Sequence, residues 1–156
     1  MREIDVLVVG AGPGGMSAAQ YAARAGYSTL VLDPMGPGGQ LLFIDEIENY
    51  PGLGKISGYF LSESMENQCK ECGVEIEYDE VKKIEKKDNR FLVTSSYSEI
   101  QAKAVIIATG ASHRHIGAKG EEEYSGKGVS YCATCDGPFF RGQKVVVVGG
   151  GDTALT

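Results

Sequence analysis

The residues with the clearest capacity for chemistry are two cysteines separated by two residues, Cys132 and Cys135, with Asp136 directly after them. Two thiols at this spacing can close a small disulfide, and so can store and release two electrons. The spacing also lowers the pKa of one thiol, because the thiolate lies beside its partner. A metal clip and a buried pair of small apolar residues are the alternatives. The context favours a redox-active dithiol.

A glycine-rich loop near the N-terminus is typical of a dinucleotide site. Ile4–Val9 predicts a buried parallel strand, because it is a short β-branched run that glycine ends. A helix is predicted over Gly14–Arg24. The loop between them fits G-x-G-x-x-G, in which the glycines allow a tight turn, a close pyrophosphate and helix–strand packing. The candidate contacts in this loop are Gly10, Gly12, Pro13, Gly14 and Gly15.

The second predicted strand, Ser28–Leu32, ends at an acid, Asp33. A carboxylate in this place would accept a hydrogen bond from a ribose hydroxyl. Strand, glycine loop, helix, strand and acid in this order predict a nucleotide site, with an ordinary glycine-rich turn as the alternative. A second small-residue loop, Gly36–Leu41, is either a surface turn or a place where a flat ligand lies against the backbone.

A further glycine loop follows the cysteines. Lys144–Val148 predicts another buried strand, and a G-x-G-x-x-A pattern comes directly after it. The candidate contacts there are Gly149, Gly151, Asp152, Thr153 and Ala154. A dithiol between two nucleotide loops suggests that electrons arrive from one cofactor and leave through the cysteines. The pattern ends at Thr156, inside the helix that the loop should open, so we expect the protein to continue.

The middle of the chain predicts mostly short strands. The last three of them should form a small antiparallel meander, because Asp88-Asn89 and Ser95–Ser98 supply turns. Ala104–Ala108 predicts one more buried parallel strand, and it closes on Thr109-Gly110, where the backbone could approach a nucleotide. The short strands are predicted over Val74–Glu77, Val81–Lys86, Arg90–Ser95 and Glu99–Lys103.

A second Cys-x-x-Cys, Cys69 and Cys72, lies in a predicted helix over Ser57–Cys72. Both cysteines continue an apolar face with Leu61 and Met65, so packing is favoured over redox chemistry. The pairs of cysteines lie about 60 residues apart, whereas zinc ribbons space them about 15–20 residues apart. His113 and His115 have no evident third ligand, so we expect them to be solvated and predict no metal site.

Composition limits the class of protein. The chain has 156 residues, of which 42% are hydrophobic, and it carries 15 basic and 21 acidic residues for a formal net charge of −6. Duplex nucleic acid and anionic membranes need a positive surface, so neither is an expected partner. No run approaches the roughly 20 apolar residues of a membrane span, and no signal-peptide layout is present. We expect a cytoplasmic α/β protein.

With these residues in hand, the chain resembles the low-molecular-weight, bacterial-type thioredoxin reductases. The resemblance spans nearly the whole chain, and its most specific feature is the dithiol placed just before a second nucleotide loop. It rests on Gly10–Gly15, Gly38–Leu41, Glu48–Gly52, Ala108–Gly110, Cys132–Gly137 and Gly149–Ala154. Thr156 departs from the family pattern, since a Glu is common there, and the basic residues that would select NADPH are not in the sequence.

The resemblance implies a flavoprotein. FAD would bind the first glycine loop, and NADPH would bind the second. Hydride would pass from NADPH to FAD and then to the Cys132–Cys135 disulfide, and the dithiol would reduce thioredoxin. Cys135 would face the flavin, Cys132 would attack the partner, and Asp136 would exchange protons. The residues that the family places near FAD, beyond the loop, are Asp33, Gly39, Gln40, Leu41, Asn49, Val81, Thr109 and Gly110.

The expected fold is a FAD/NAD(P)-binding Rossmann-like three-layer α/β fold with a small antiparallel β-meander, plus the start of a second nucleotide-binding domain. The FAD-binding domain would span residues 1–112, and residues 113–156 would hold a hinge and the start of the NADPH-binding domain. The hinge would lie in the glycine-rich, acidic stretch Gly117–Gly128. A homodimer is expected from the resemblance. A flavoprotein reductase of a peroxidase system and a non-catalytic nucleotide-binding fragment are the alternatives.

Overall fold

The computed structural model describes the backbone of residues 1–155, with all side chains in that range except those of Thr134, Cys135, Asp152 and Thr153. The chain divides into two compact units, Met1–Gly110 and Ala111–Thr156. The strands are β1 Arg2–Val9, β2 Thr29–Leu32, β3 Glu75–Glu77, β4 Val81–Lys87, β5 Arg90–Ser95 and β6 Glu99–Ile107. The α-helices are α1 Pro13–Arg24, α2 Gly58–Glu71, α3 Ala133–Asp136 and α4 Asp152–Leu155.

The first unit is built on one six-stranded sheet with the order β3-β2-β1-β6-β5-β4. β1 pairs in parallel with β2 and β6, and β2 pairs in parallel with β3. β4 and β5 extend the other edge as an antiparallel meander. The order reverses at β1, which has β2 on one side and β6 on the other, so the crevice beyond the carboxyl ends of β1 and β6 is the expected ligand position. The predicted Rossmann-like α/β class is confirmed.

Local sequence explains both long helices. α1 is rich in alanine, has Pro13 at its first turn, and is followed by Gly26 in the left-handed region at φ +88°. α2 begins after Ser57, whose Oγ accepts the Phe60 N–H at 3.2 Å, as an N-cap does. α1 packs on the sheet through Met16 and Ala19, which belong to one buried cluster with Val8 and Val31.

β6 corrects one prediction. The sequence predicts separate strands over Glu99–Lys103 and Ala104–Ala108, whereas the structure has one continuous strand, Glu99–Ile107. No turn residue separates the two halves, and β1 pairs with both of them, from Ile100 to Ile107. The second half is also less buried than predicted, since Ile107 is 61% exposed.

A second prediction, the buried strand over Lys144–Val148, is wrong. This run is not a strand, and its four valines, Val145–Val148, are 62–88% exposed. The β-branched side chains favour extended structure, but a strand also needs a neighbour for its backbone N–H and C=O groups. Within residues 1–155 no strand pairs with the run.

No helix of the described chain is long and apolar enough to span a membrane.

Cys69 packs in the core, as its position on the apolar face of α2 predicts. Its side chain is 1% exposed, and its thiol donates to the Met16 carbonyl oxygen at 3.2 Å. Burial raises the pKa of this thiol, which keeps it protonated and unreactive. Cys69 therefore tightens the contact between α2 and α1.

Cys69→Ala in the intact protein should lower the free energy of unfolding by about 1–2 kcal/mol, because it removes buried sulfur and one hydrogen bond. Cys72→Ala is the matched control: Cys72 is a half-buried free thiol at the end of the same helix, and it should change stability by less than about 0.5 kcal/mol. Urea denaturation followed by circular dichroism measures both. Equal losses in the two variants would contradict the packing role of Cys69.

Candidate functional site

The first glycine loop, Gly10–Gly15, lies between β1 and α1, as predicted. Gly10 has φ +105°, and a Cβ there would lie 2.3 Å from the Ala108 carbonyl oxygen. A Cβ on Gly15 would lie 1.9 Å from the Gly10 carbonyl oxygen. The backbone itself therefore requires glycine at both positions, whatever the loop binds.

Gly12 and Gly14 are different, because a Cβ on either would meet no atom of the protein within 4 Å. Gly12 is the N-cap of the 12-residue helix α1, in an extended conformation with φ −71°, and no side chain caps this end. Unpaired N–H groups and the helix dipole favour an anion here. The open space beside two glycines at a helix N-terminus fits the pyrophosphate of a dinucleotide.

The Asp33 carboxylate holds the first glycine loop by hydrogen bonds to the backbone. Its Oδ2 accepts the Ala11 N–H at 2.8 Å, and its Oδ1 accepts the N–H groups of Met35 at 2.8 Å and Gly36 at 3.1 Å. A carboxylate has about four acceptor positions, so Oδ2 has capacity for one further donor. The structure therefore gives Asp33 a positioning role in addition to the predicted role as a ribose acceptor.

The Gly38-Gly39 turn lies against the first glycine loop. The Gly38 N–H donates to the Ala11 carbonyl oxygen at 2.9 Å, and a Cβ on Gly39 would lie 3.2 Å from the Cα of Gly12. Gly38 has φ +126°, which favours glycine. A 3-10 helix, Gly39–Phe43, continues from this turn and carries Gln40 and Leu41. The small-residue loop that the sequence left open is therefore one wall of the candidate nucleotide site.

Thr109 and Gly110 follow the carboxyl end of β6, where the chain comes close to the first glycine loop. A Cβ on Gly10 would lie 3.1 Å from the Cα of Thr109, so the two chain segments touch at the predicted crevice. Val81 and Asn49, the other two predicted contacts, belong to other segments of the first unit. Val81 begins β4 and packs on the buried cluster that contains Leu7, and Asn49 is exposed in the segment that the Ile47–Ile56 bridge closes.

The Cys132-x-x-Cys135 sequence lies in the second unit. Cys132 is disulfide-bonded, and Cys69 and Cys72 are free thiols. The side chain of Cys135 lies outside the described residues, so its predicted role stays a prediction. Cys132 accepts the Asp136 N–H through its carbonyl oxygen at 3.0 Å, which starts the single turn of α3.

The second glycine loop begins at Gly149, in the left-handed region at φ +124°. The short helix α4 follows it, and the Ala154 N–H donates to the Gly151 carbonyl oxygen at 2.9 Å. Neither Gly150 nor Gly151 would place a Cβ within 4 Å of another atom. The predicted contacts through the side chains of Asp152 and Thr153 lie outside the described residues.

A cavity of about 510 Å³ lies within the second unit. The segment that carries the cysteines and the second glycine loop both line this cavity, as their order in the sequence suggests. Its lining includes Tyr131, Asp136, Val146, Gly149, Gly151 and Ala154. Asp136 therefore faces the same space as the second candidate nucleotide loop.

A polar cluster around Glu121 was not predicted from the sequence. The Glu121 side chain is 6% exposed and accepts the N–H groups of Ile116, Gly117 and Ala118 at 3.0, 2.7 and 3.1 Å. The Tyr131 hydroxyl also donates to it, at 2.8 Å. This hydrogen bond, with the backbone N–H groups, lowers the pKa of Glu121 to about 2. Only the position of Tyr131 next to Cys132 could have signalled the cluster.

Both histidines are exposed, as the sequence predicts, and both also contact Tyr131. His115 Nδ1 lies 2.9 Å from the Tyr131 hydroxyl, and the His113 ring stacks on the Tyr131 ring at 5.0 Å. Both histidines therefore contact the residue before Cys132. Among the described residues no group of three His, Cys, Asp or Glu side chains is arranged to hold a metal ion.

Comparisons with known proteins match this arrangement to one family. The model of the pyridine nucleotide-disulphide oxidoreductases matches residues 4–156. The chain therefore belongs to the pyridine nucleotide-disulphide oxidoreductase family. Among its relatives, thioredoxin reductase of Treponema pallidum (strain Nichols) is 53% identical over 153 residues, which are 97% of this chain and 50% of the relative.

Two further relatives agree. Thioredoxin reductase of Listeria monocytogenes is 48% identical over 97% of this chain and 47% of its own length. The crystal structure of thioredoxin reductase from Streptococcus pyogenes superposes with a TM-score of 0.81 at 47% identity, over 98% of this chain and 50% of that one. The resemblance to thioredoxin reductases is thus confirmed, and the chain spans about half the length of these relatives.

Proposed function

We propose that the intact protein is a flavoprotein disulfide reductase that passes electrons from NADPH through FAD to the Cys132–Cys135 pair and on to thioredoxin. The observation that carries the proposal is the disulfide-bonded Cys132, held in a segment that precedes a glycine loop in a family of pyridine nucleotide-disulphide oxidoreductases. The relatives named thioredoxin reductase support the choice of substrate.

FAD belongs to the first unit in this proposal. The loop Gly10–Gly15 would hold its pyrophosphate on the N-terminus of α1, and Asp33 would accept a hydrogen bond from its ribose. Gly39, Thr109 and Gly110 would line the same crevice, with Gln40, Leu41, Asn49 and Val81 as further contacts. The domain boundary would then be near residue 112. Bound FAD would supply a two-electron carrier between NADPH and the disulfide.

NADPH belongs to the second unit, on the loop Gly149–Ala154. Reduction of the disulfide takes two electrons and two protons and leaves two thiols. The Cys132 thiolate would then attack the thioredoxin disulfide, and Cys135 would displace the reduced thioredoxin from the mixed disulfide. Asp136 would take and return the proton at the thiol that faces the flavin.

The same proposal includes a homodimer in the cytoplasm and a hinge within Gly117–Gly128.

The experiment that tests this function follows the flavin in the purified intact protein. The protein should be yellow, NADPH should bleach the 450 nm band without oxygen, and oxidised thioredoxin should restore it. The assay separates the candidates: a binding module would not bleach, and a reductase of a peroxidase system would be reoxidised by the disulfide of the peroxidase component and not by thioredoxin. Protein without flavin would contradict the proposal at its first step.

A further inference from the structure

Tyr131, the residue before Cys132, is anchored by its side chain to a distant part of the second unit. Its hydroxyl donates to Glu121 at 2.8 Å, ten residues earlier in the chain. The hydroxyl has one hydrogen, so it accepts from His115, whose Nδ1 lies at 2.9 Å. The ring of His113 stacks on the Tyr131 ring with an angle of 10° between their planes. Three side chains thus fix this ring.

Glu121 is itself fixed. It is buried, and three backbone N–H groups of residues 116–118 point at its carboxylate. Its low pKa means that the group is ionised at neutral pH, so it acts only as an acceptor. A hydrogen bond from a hydroxyl to a carboxylate is about twice as strong as one between neutral groups. The Tyr131–Glu121 contact is therefore a charge-assisted hydrogen bond on the residue just before Cys132.

The backbone next to Tyr131 is held as well. The Cys132 N–H donates to the Ser130 Oγ at 3.1 Å, and the same Oγ donates to the Cys132 carbonyl oxygen at 3.2 Å. The conformation of Ser130–Cys132 is thus set locally by Ser130, and its position is set by Glu121 through Tyr131. These contacts coexist with a disulfide-bonded Cys132.

We propose that Tyr131 and Glu121 are positioning residues that hold Cys132 in the arrangement of the oxidised pair and so favour the disulfide over the dithiol. The inference rests on the proposed redox role of Cys132. Forming the disulfide breaks two S–H bonds, makes one S–S bond, and releases two electrons and two protons to the oxidant. Bond formation is easier when the backbone is already held in place, because the cost of ordering it has been met.

The test is a redox titration of the intact protein in glutathione buffers, with glutathione disulfide as the oxidant. The Cys132 thiol fraction is read by alkylation and peptide mass spectrometry. Tyr131→Phe, which keeps the ring and removes the hydroxyl, should lower the equilibrium ratio of disulfide to dithiol about tenfold, which raises the midpoint potential by about 30 mV. Glu121→Gln should move the potential in the same direction.

Tyr124→Phe is the matched control, because it removes a hydroxyl from a 54% exposed ring of the same unit. It should leave the potential unchanged. A Tyr131→Phe potential within about 5 mV of wild type, a change of less than about 1.5-fold, would overturn the inference even if the variant unfolds at a lower temperature. This readout needs no turnover, so it fails separately from the proposed function, which fails if thioredoxin does not reoxidise the flavin.

Discussion

Replacing Cys132 by serine in the intact protein should abolish thioredoxin reduction and leave the reduction of bound flavin by NADPH intact. The serine hydroxyl cannot close a disulfide, and it is not ionised at neutral pH, so no thiolate attacks the partner. Turnover should fall by at least about a thousandfold, as for the loss of other catalytic nucleophiles. Cys135→Ser should have the same effect, because both cysteines are needed to close the disulfide.

Stopped-flow absorbance at 450 nm separates the two half-reactions in one experiment. Cys72→Ala is the matched control, because it removes a half-buried free thiol from the second Cys-x-x-Cys of the chain. It should reduce thioredoxin at the wild-type rate. Thioredoxin turnover that survives in Cys132→Ser would disprove the redox role of this cysteine.

Gly12→Val should yield a folded protein without FAD. The backbone at Gly12 is extended, with φ −71° and ψ 178°, which valine adopts readily, and a Cβ there meets no protein atom within 4 Å. The added side chain would fill the space in which the pyrophosphate should lie, so the FAD content should fall about tenfold or more. The ratio of absorbance at 450 and 280 nm in the purified protein measures this loss.

Two other glycines make the test specific. Gly15→Val should prevent folding of the first unit, because its Cβ would lie 1.9 Å from the Gly10 carbonyl oxygen. Gly54→Val, at an exposed glycine whose Cβ would also meet open space, should keep both fold and flavin. Wild-type flavin content in Gly12→Val would place the cofactor somewhere other than the first glycine loop.

The sequence predicted the parts of the fold whose causes are local. α1 and α2 follow from alanine content, the Ser57 cap and the spacing of Leu61, Met65 and Cys69. The first glycine loop could be predicted from the sequence because each glycine position in the pattern has a distinct backbone requirement. The structure separates these requirements, since the fold needs Gly10 and Gly15, whereas Gly12 and Gly14 leave room for a ligand.

The features that the sequence did not predict depend on partners distant in the chain. β6 is one strand because β1 pairs with both of its halves, and no local signal indicates that pairing. Asp33 carries a predictable carboxylate, but its bond to the Ala11 N–H depends on the parallel pairing of β1 with β2, which places the ends of the two strands side by side. The Tyr131–Glu121 contact joins residues with no periodic relation, so no residue pattern indicates it.

The exposed valines at Val145–Val148 have a practical consequence for anyone who prepares this chain alone. Four consecutive exposed β-branched side chains without a charge between them have the composition of segments that stack between molecules into cross-β aggregates. Lys144 is the charge that directly borders the run on its N-terminal side, and glycines border it on the other. Protein concentration, more than thermal stability, should therefore set the shelf life of residues 1–156, and one lysine within the run would act as a gatekeeper against aggregation.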